Sequence, residues 1–219
     1  PDALAVALVG QPNVGKSTVF NMLTGLNQHV GNWPGKTVEL KTGVFEVEAA
    51  TVKLVDLPGT YSLTANSEEE RIARDFLIGE RPDVAITVVN AAALERSLYL
   101  VAELLALDVP LVIGLNMSDV AEQHGIHVEA HVLQAALGIP VIPLVATRNE
   151  GIRELVSAAY RLALQPAAFR PNRPAIRAEH QPILDQVVVL LDGCACQRHP
   201  ASWAALKLLE GDEEVTREI

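Results

Sequence analysis

Short, continuous runs of apolar residues recur along the chain and alternate with longer stretches in which apolar residues return every three or four positions. The short runs are typical of strands covered on both faces, because a strand with one solvated face would alternate apolar and polar residues. The run at residues 38–48 does alternate, and we therefore predict an edge strand there. The predicted strands span residues 4–10, 38–48, 50–55, 84–89, 109–115 and 141–145.

Helical spacing follows most of these runs. Residues 25–37 contain three glycines and a proline, which favour turns, so we predict a loop there. Strands that alternate with helices in this order predict an α/β fold with a doubly wound, mostly parallel, six-stranded sheet. Five helices are predicted. The first begins at Gly15 and the second at the capping residue Ser67, and the other three span residues 93–107, 128–137 and 151–164.

The C-terminal fifth of the chain has a different pattern. Three prolines at residues 166–175 predict a linker. Residues 176–219 show only helical spacing, so we expect a small helical domain appended to a main domain at residues 1–165. The acidic residues 210–219 end within a predicted helix, so this helical domain is expected to be cut short.

Composition narrows the classes of partner. The chain has 219 residues and a formal net charge of −10, without a cluster of Lys and Arg. Neutralising nucleic-acid phosphates requires clustered cations, so nucleic acid is not expected as a partner. Two cysteines, Cys194 and Cys196, are too few for a disulfide framework, which favours a reducing cytosolic setting. The sequence has no apolar run of about 18 residues, so we predict no transmembrane helix.

Residues 10–17 match the pattern G-x-x-x-x-G-K-[ST] between the first predicted strand and the first predicted helix. Such a loop wraps nucleotide phosphates with backbone N–H groups, and Gly10 and Gly15 allow the close approach that a Cβ would block. The helix start adds further N–H donors and the positive end of the helix dipole. Lys16 is predicted to reach the β- and γ-phosphates and Ser17 to bind Mg²⁺. A chance glycine-rich turn is the alternative, and the strand–loop–helix setting argues against it.

Two further positions fit the same ligand. Asp56 ends a predicted buried strand and begins the pattern D-x-x-G, which would place its carboxylate near a Mg²⁺-bound water and the Gly59 N–H near the γ-phosphate. Thr37 lies in the predicted loop and would complete the Mg²⁺ shell when a γ-phosphate is present. Taken singly, these residues are equally typical of turns and caps. Their spacing from Lys16 favours the nucleotide interpretation.

The pattern N-x-x-D at residues 116–119 follows the fifth predicted strand. Asp119 can accept hydrogen bonds from N1–H and the 2-amino group of guanine, whereas adenine offers neither donor and would leave the carboxylate unpaired. An Asx turn that begins a helix would give the same residues. A backbone N–H in residues 145–147 would contact guanine O6, an assignment that depends on position alone. All these residues follow strands at their carboxyl ends, where doubly wound sheets bind ligands.

Together these motifs resemble those of TRAFAC-class P-loop GTPases. The segments GQPNVGKSTVFNMLTG, VGNWPGKTVE, DLPGTYSL and NMSD are similar to the cytoplasmic N-terminal GTPase domain of the FeoB family of bacterial ferrous-iron transporters. The tail WAALKLLEGD is similar to that family's helical domain, which damps nucleotide release. The resemblance covers nearly the whole chain. It implies a regulatory domain that binds GTP and GDP and hydrolyses GTP with Mg²⁺ and K⁺ as cofactors.

The resemblance also implies the roles of individual residues. Mg²⁺ would be held by Ser17, by Thr37 and, through a water, by Asp56. The residues implied in hydrolysis are Asn13, Lys16, Thr37 and Gly59. The implied nucleotide-binding set is Gly10, Gln11, Pro12, Asn13, Val14, Gly15, Lys16, Ser17, Thr18, Gly35, Lys36, Thr37, Asp56, Leu57, Pro58, Gly59, Asn116, Met117, Asp119, Val145, Ala146 and Thr147.

Three positions, Asn13, Thr60 and Met117, bear on the comparison with Ras-like relatives. Thr60 stands where those relatives carry the glutamine that orients water, and a threonine is too short for that role. In relatives with an asparagine at the position of Asn13, that residue holds K⁺ between the phosphates, and the ion takes the place of an arginine finger. Carbonyls of residues 31–36 would complete the K⁺ shell. Met117 replaces the usual lysine of N-K-x-D, so we expect modest nucleotide affinity.

The resemblance further implies a transmembrane iron-permease portion in the same polypeptide, and a small accessory protein as a further partner. It places the domain at the cytoplasmic face of the bacterial inner membrane, as a soluble part of an integral membrane protein.

Two other functions fit the motifs. One is a translation or tRNA-modification GTPase, which the acidic charge disfavours. The other is a switch that binds GTP without hydrolysing it, which the missing glutamine favours.

Cys194, Cys196 and His199 form the pattern C-x-C-x-x-H, which could bind Fe²⁺ or Zn²⁺. A reduced thiol pair at a helix end is the simpler interpretation, because three ligands in so short a span seldom make a closed site.

Overall fold

The computed structural model describes residues 3–48, 50–64, 66–192 and 199–219. Within these residues seven strands form a sheet in the order β2-β3-β4-β1-β5-β6-β7. The pairings between β4, β1, β5, β6 and β7 are parallel, whereas β3 pairs antiparallel with both β2 and β4. The strands are β1 (Leu4–Gly10), β2 (Gln28–Asn32), β3 (Glu39–Val47), β4 (Ala50–Asp56), β5 (Val84–Asn90), β6 (Leu111–Asn116) and β7 (Val141–Pro143).

Helices cover both faces of this sheet and continue beyond it at the C-terminal end of the chain. They are α1 (Lys16–Thr24), α2 (Glu68–Gly79), α3 (Leu94–Ala106), α4 (Ser118–Gln123), α5 (Ala130–Leu137), α6 (Ile152–Leu164), α7 (Gln181–Asp192), α8 (Ala201–Glu210) and α9 (Glu213–Glu218). The prediction of a doubly wound α/β fold is confirmed.

The central strand β1 shows why its sequence is apolar throughout. Ala7 and Val9 belong to the hydrophobic layer that includes α2 and α3, whereas Val6 and Leu8 belong to the layer that includes α1 and α6. Successive side chains of a strand point to opposite faces, so a strand with helices on both sides needs apolar residues at every position. This arrangement fixes the end of β1, and with it the loop at residues 10–15, above a rigid core.

The prediction of six strands and a loop at residues 25–37 is wrong, because Gln28–Asn32 forms a seventh strand, β2. Its backbone pairs with β3 from Gln28 opposite Gly43 to Asn32 opposite Glu39. Four of its five residues are exposed, so it lacks the apolar pattern of a core strand. The edge position predicted for residues 38–48 is also wrong, because β3 lies between β2 and β4.

Ser67 caps α2 as predicted, and its side chain accepts a hydrogen bond from the Glu70 N–H. The short helix α4 was not predicted. It begins after Met117, whose φ of 61° is left-handed, a conformation that glycine, asparagine and aspartate adopt more readily than methionine. A helix of six residues that starts at such a residue has too little apolar periodicity to be recognised from sequence.

The helices after residue 176 are attached to α2 and α3 through buried charged groups. Lys207 Nζ of α8 lies 2.5 Å from Glu103 Oε1 of α3 and 2.8 Å from Glu210 Oε2. Arg74 Nη2 of α2 lies 2.6 Å from Glu214 Oε2 of α9. The division into domains at residues 165 and 176 stays a prediction. Nowhere in the part of the chain that the structure describes is there a helix with the length and apolarity needed to cross a membrane.

Candidate functional site

The loop between β1 and α1 is shaped by two glycines. A Cβ on Gly10 would lie 2.7 Å from the carbonyl oxygen of Val88, and a Cβ on Gly15 would collide with the side-chain amide of Asn116. Gly15 also has a left-handed φ of 88° and caps α1. The helix therefore begins at Lys16 with its free N–H groups facing the loop, the arrangement that binds anions.

Lys16 lies against the end of β4. Its ammonium group forms an ion pair with Asp56 Oδ1 and donates a hydrogen bond to the Leu57 carbonyl oxygen at 2.6 Å. Asp56 is 7% exposed. Burial raises the pKa of its carboxyl, and the positive charge of Lys16 opposes that rise. The two residues predicted to serve the phosphates and Mg²⁺ are thus direct neighbours.

The chain after Asp56, here called the 57–64 segment, runs alongside the same loop. The Leu57 N–H donates to the Leu8 carbonyl at 3.0 Å, and the Thr60 N–H donates to the Gly10 carbonyl at 3.1 Å. A Cβ on Gly59 would lie 3.2 Å from the backbone nitrogen of Pro12. The D-x-x-G segment and the P-loop therefore meet as predicted, with Pro58 and Gly59 half-exposed beside them.

Asn116 joins the phosphate loop to the predicted base-binding segment. Its Nδ2 donates to the Val14 carbonyl at 2.9 Å, and its Oδ1 accepts from the Ala146 N–H at 3.0 Å. The side chain is 4% exposed, so both hydrogen bonds are shielded from water. The sequence assigned Asn116 to the nucleotide, but here its amide holds two protein segments together.

The segment at residues 145–147 has a specific arrangement of donors. The Ala146 N–H is donated to Asn116, and the Val145 N–H is donated to the Glu150 carbonyl at 3.2 Å. Thr147 is exposed in a 3₁₀ turn. Of the three backbone N–H groups in this segment, that of Thr147 has no hydrogen-bond acceptor among the described contacts. It is therefore the one that can donate to guanine O6.

Asp119 lies in the first turn of α4 and is partly exposed. Its Oδ2 lies 3.6 Å from Arg148 Nη2, so the carboxylate predicted to read the base faces a cation from the neighbouring segment. Sequence reasoning missed Arg148, because an isolated exposed arginine after a weak motif carries no signal of its own.

Thr37 lies in a different setting from the other predicted residues. It is exposed in the tip of the β2–β3 hairpin, residues 33–38, which we call the hairpin tip. Trp33 of this tip packs edge-on against Phe76 of α2 with ring centroids 5.7 Å apart. Lys36 Nζ lies 3.3 Å from Glu68 Oε1, also on α2. These contacts direct the tip, including Gly35, towards α2.

The remaining predicted positions divide by exposure. Asn13 is exposed with a left-handed φ of 65°, and Ser17 is exposed in the first turn of α1. Thr18 is half-buried beside it. Gln11 is buried, and its side chain points to α3, where Nε2 donates to the Arg96 carbonyl at 2.6 Å. Only the backbone of Gln11 can therefore take the predicted role at the nucleotide.

Cys194 and Cys196 lie outside the described residues, so the predicted C-x-C-x-x-H site stays a prediction. His199 is described, and its Nε2 lies 2.8 Å from Glu218 Oε2.

The sheet order, the glycine-shaped loop before α1 and the residues gathered at the carboxyl ends of β1, β4 and β6 define a P-loop α/β domain of the GTPase type. The family model described as ferrous iron transport protein B matches residues 4–159. The chain belongs to this family.

Individual relatives agree with that assignment. The chain is 43% identical over 216 residues to the Fe(2+) transporter FeoB of Salmonella typhimurium, a match that covers 95% of this chain and 27% of that protein. The chain thus spans about a quarter of the length of the curated relatives that it matches.

Solved structures of relatives share the fold. The cytosolic domain of the T. maritima FeoB iron transporter in a GDP form has a TM-score of 0.92 and 37% identity, covering 99% of this chain and 85% of that one. The same domain in a GMPPNP form has a TM-score of 0.90 and 38% identity, covering 98% of this chain and 84% of that one.

Proposed function

We propose that this chain binds guanine nucleotides and hydrolyses GTP to GDP and phosphate. The observation that carries the proposal is the convergence of the P-loop, Asp56, the 57–64 segment and Asn116 at one edge of the sheet. Each of these parts has a recognised task toward a nucleoside triphosphate. The GDP and GMPPNP forms of the T. maritima relative support the choice of ligand.

Guanine is the base that fits the site. Asp119 has an available carboxylate oxygen beside the ion pair with Arg148, and a carboxylate can accept hydrogen bonds from two guanine donors. The Thr147 N–H would contact O6. Adenine lacks both donors and would leave Asp119 unpaired, which a partly buried carboxylate does not tolerate well.

The donor set also suits Mg²⁺, which prefers oxygen ligands and retains several waters. Ser17 presents an exposed hydroxyl beside Lys16, and Asp56 presents a buried carboxylate next to the same lysine. Ser17 and Thr37 would hold Mg²⁺ directly, and Asp56 would hold it through a water. When bound, the ion neutralises charge on the phosphates. Thr37 lies in the hairpin tip, whose Trp33 and Lys36 contact α2.

We assign a K⁺ ion to Asn13. Asn13 is exposed on the P-loop, and its backbone has a left-handed φ of 65°. The K⁺ would supply positive charge where other GTPases use an arginine, while Lys16 and the Gly59 N–H bind the phosphates. Thr60, which is 2% exposed and donates its hydroxyl to the Ser62 carbonyl at 2.5 Å, is not placed to orient water.

The membership of the family suggests a wider role. In the full-length relatives this region is one quarter of a ferrous-iron transporter. We propose that the chain regulates Fe²⁺ uptake from the cytoplasmic face of the inner membrane, with the transmembrane portion of the same polypeptide as its main partner.

The test is GTP turnover by the 219-residue chain in K⁺ and in Na⁺ at equal ionic strength. We expect K⁺ to raise kcat about tenfold or more, since a cation at this position contributes as an arginine finger does. Asn13→Ala should abolish the difference between the salts and leave GDP affinity within about twofold, well under the 1.4 kcal/mol of a tenfold change. Asn21→Ala, at the far end of α1, is the matched control. Equal rates in both salts would remove the K⁺ role, and no phosphate release in either would remove the GTPase function.

A further inference from the structure

Arg96, in the first turn of α3, lies over the ring of Tyr61 in the 57–64 segment. The guanidinium carbon is 4.7 Å from the ring centroid, within the range of a cation–π interaction. Tyr61 is 43% exposed, so Arg96 covers one face of an aromatic ring at the surface of the site. Neither residue belongs to a predicted nucleotide-binding set.

The P-loop fixes the backbone that carries this arginine. Gln11 Nε2 donates to the Arg96 carbonyl oxygen at 2.6 Å, and Ser97 Oγ lies 3.5 Å from Gln11 Oε1. Gln11 and Ser97 are both buried. A shielded amide of the phosphate loop thus joins that loop to the start of α3.

The other partner of the stack is attached to the same loop. Tyr61 follows Thr60, whose N–H donates to the Gly10 carbonyl at 3.1 Å. Tyr61 is also two residues from Gly59, whose N–H is assigned to the γ-phosphate. The contacts therefore form a closed circuit from the P-loop through Gln11 to Arg96, across to Tyr61, and back through Thr60.

We propose that Arg96 is a positioning residue for GTP hydrolysis, which holds the backbone of Gly59 and Thr60 against the P-loop by stacking on Tyr61. This inference rests on the proposed GTPase function. Arg96 acts on the reacting phosphate through the 57–64 segment and not by direct contact. Its removal therefore slows turnover while GDP, which has no γ-phosphate, binds as before.

The first test is kinetic and uses the intact chain with GTP in K⁺. We expect Arg96→Ala and Tyr61→Leu each to lower kcat about two- to fivefold, the equivalent of about 0.5–1 kcal/mol for an exposed cation–π pair. The double variant should be no slower than either single one, because both remove the same contact. Tyr61→Phe, which keeps the ring, and Arg96→Lys, which keeps the charge, should recover most of the loss. GDP affinity should stay within about twofold of the wild type, because GDP lacks the γ-phosphate. A twofold change is well under the 1.4 kcal/mol of a tenfold change.

The second test measures amide hydrogen exchange of residues 58–64 and does not depend on hydrolysis. Arg96→Ala should speed exchange of the Thr60 amide about two- to fivefold, in line with the same contact free energy. Arg161→Ala, which removes another exposed arginine at the far end of α6, should change neither exchange nor kcat. Unchanged exchange in Arg96→Ala, multiplicative losses in the double variant, or equal losses in kcat and GDP affinity would each overturn the inference. A different outcome would separate the two proposals. If the wild type releases no phosphate but Arg96→Ala still exchanges faster, the GTPase function fails while the stabilising contact between Arg96 and Tyr61 stands.

Discussion

The base end and the phosphate end of the site are built in different ways. At the base end, Asn116 is buried and bonds two segments at once, and its neighbours are short turns between core strands. At the phosphate end, the hairpin tip is held against α2 by one aromatic contact and one exposed ion pair, and Thr37 within it is exposed. The first arrangement suits a feature common to GDP and GTP, and the second suits a group that is present in only one of them.

The largest effect is expected at the base end. Asp119→Asn should lower GTP affinity about 100-fold or more, because two hydrogen bonds to a charged carboxylate contribute about 1.5–3 kcal/mol each. Xanthine carries a carbonyl in place of the 2-amino group, so xanthosine triphosphate should bind the variant better than GTP does. Competition titrations of both nucleotides against the wild type and the variant measure this. Unchanged GTP affinity would show that the base is read elsewhere.

A smaller effect is expected when the hairpin tip is released. Trp33→Ala removes the contact with Phe76, and an aromatic pair contributes about 0.5–1.5 kcal/mol. If this contact holds Thr37 away from the nucleotide, its loss should raise the ratio of GMPPNP affinity to GDP affinity about two- to tenfold. This range is the contact free energy converted at 1.4 kcal/mol per tenfold change. The ratio is the useful quantity because general destabilisation affects both ligands. Trp33→Phe keeps the edge contact and should behave as the wild type. A ratio that does not move would mean that the tip is free to reach the nucleotide already.

The smallest effect concerns the ion pair between Arg74 of α2 and Glu214 of α9. Burial of Glu214 opposes its ionisation, but the hydrogen bond and charge of Arg74, aided by Arg71, lower its pKa below the ordinary 4.5. A lowered pKa gives stability that is present above the unfolded value and lost as the pH falls through the folded value. Glu214→Gln should therefore cost about 1 kcal/mol near neutrality and less below about pH 4.5.

Urea unfolding at pH 7 and at pH 4 measures that difference. The cost stays small because Arg74 keeps Asp212 at 3.7 Å. Glu213→Gln removes an exposed carboxylate on the same helix and serves as the control. An equal cost at both pH values would show that the charge of Glu214 does not contribute.

The sequence predicted the core of this domain well, and physical reasons explain where it did not. Val6 to Val9 could be predicted because burial on both faces requires an apolar residue at each position. The strand β2 could not, because its pairing depends on backbone hydrogen bonds that leave little trace in the residue types of Gln28–Asn32. For the same reason the position of β3 inside the sheet was mistaken for an edge.

The candidate site divides in a similar way. That Gly10, Gly15, Lys16 and Asp56 lie at one edge of the sheet was predictable, because phosphate and metal chemistry restricts each of these motif positions to one or two residue types. Arg96, Tyr61 and Arg148 were not, because their contacts arise only when distant segments are brought together by the fold. The motif also could not predict that the Gln11 side chain points into the protein towards Arg96, because a motif describes residue types and not their orientation.

One consequence follows from the close approach of Gly15 to the Asn116 amide. Any side chain at position 15 would occupy the space of that amide, and any larger group at position 116 would press on the loop. The two positions are thus constrained as a pair, although 100 residues separate them in the chain. A randomised library of both codons, selected for nucleotide retention, should return glycine and asparagine together far more often than either one alone.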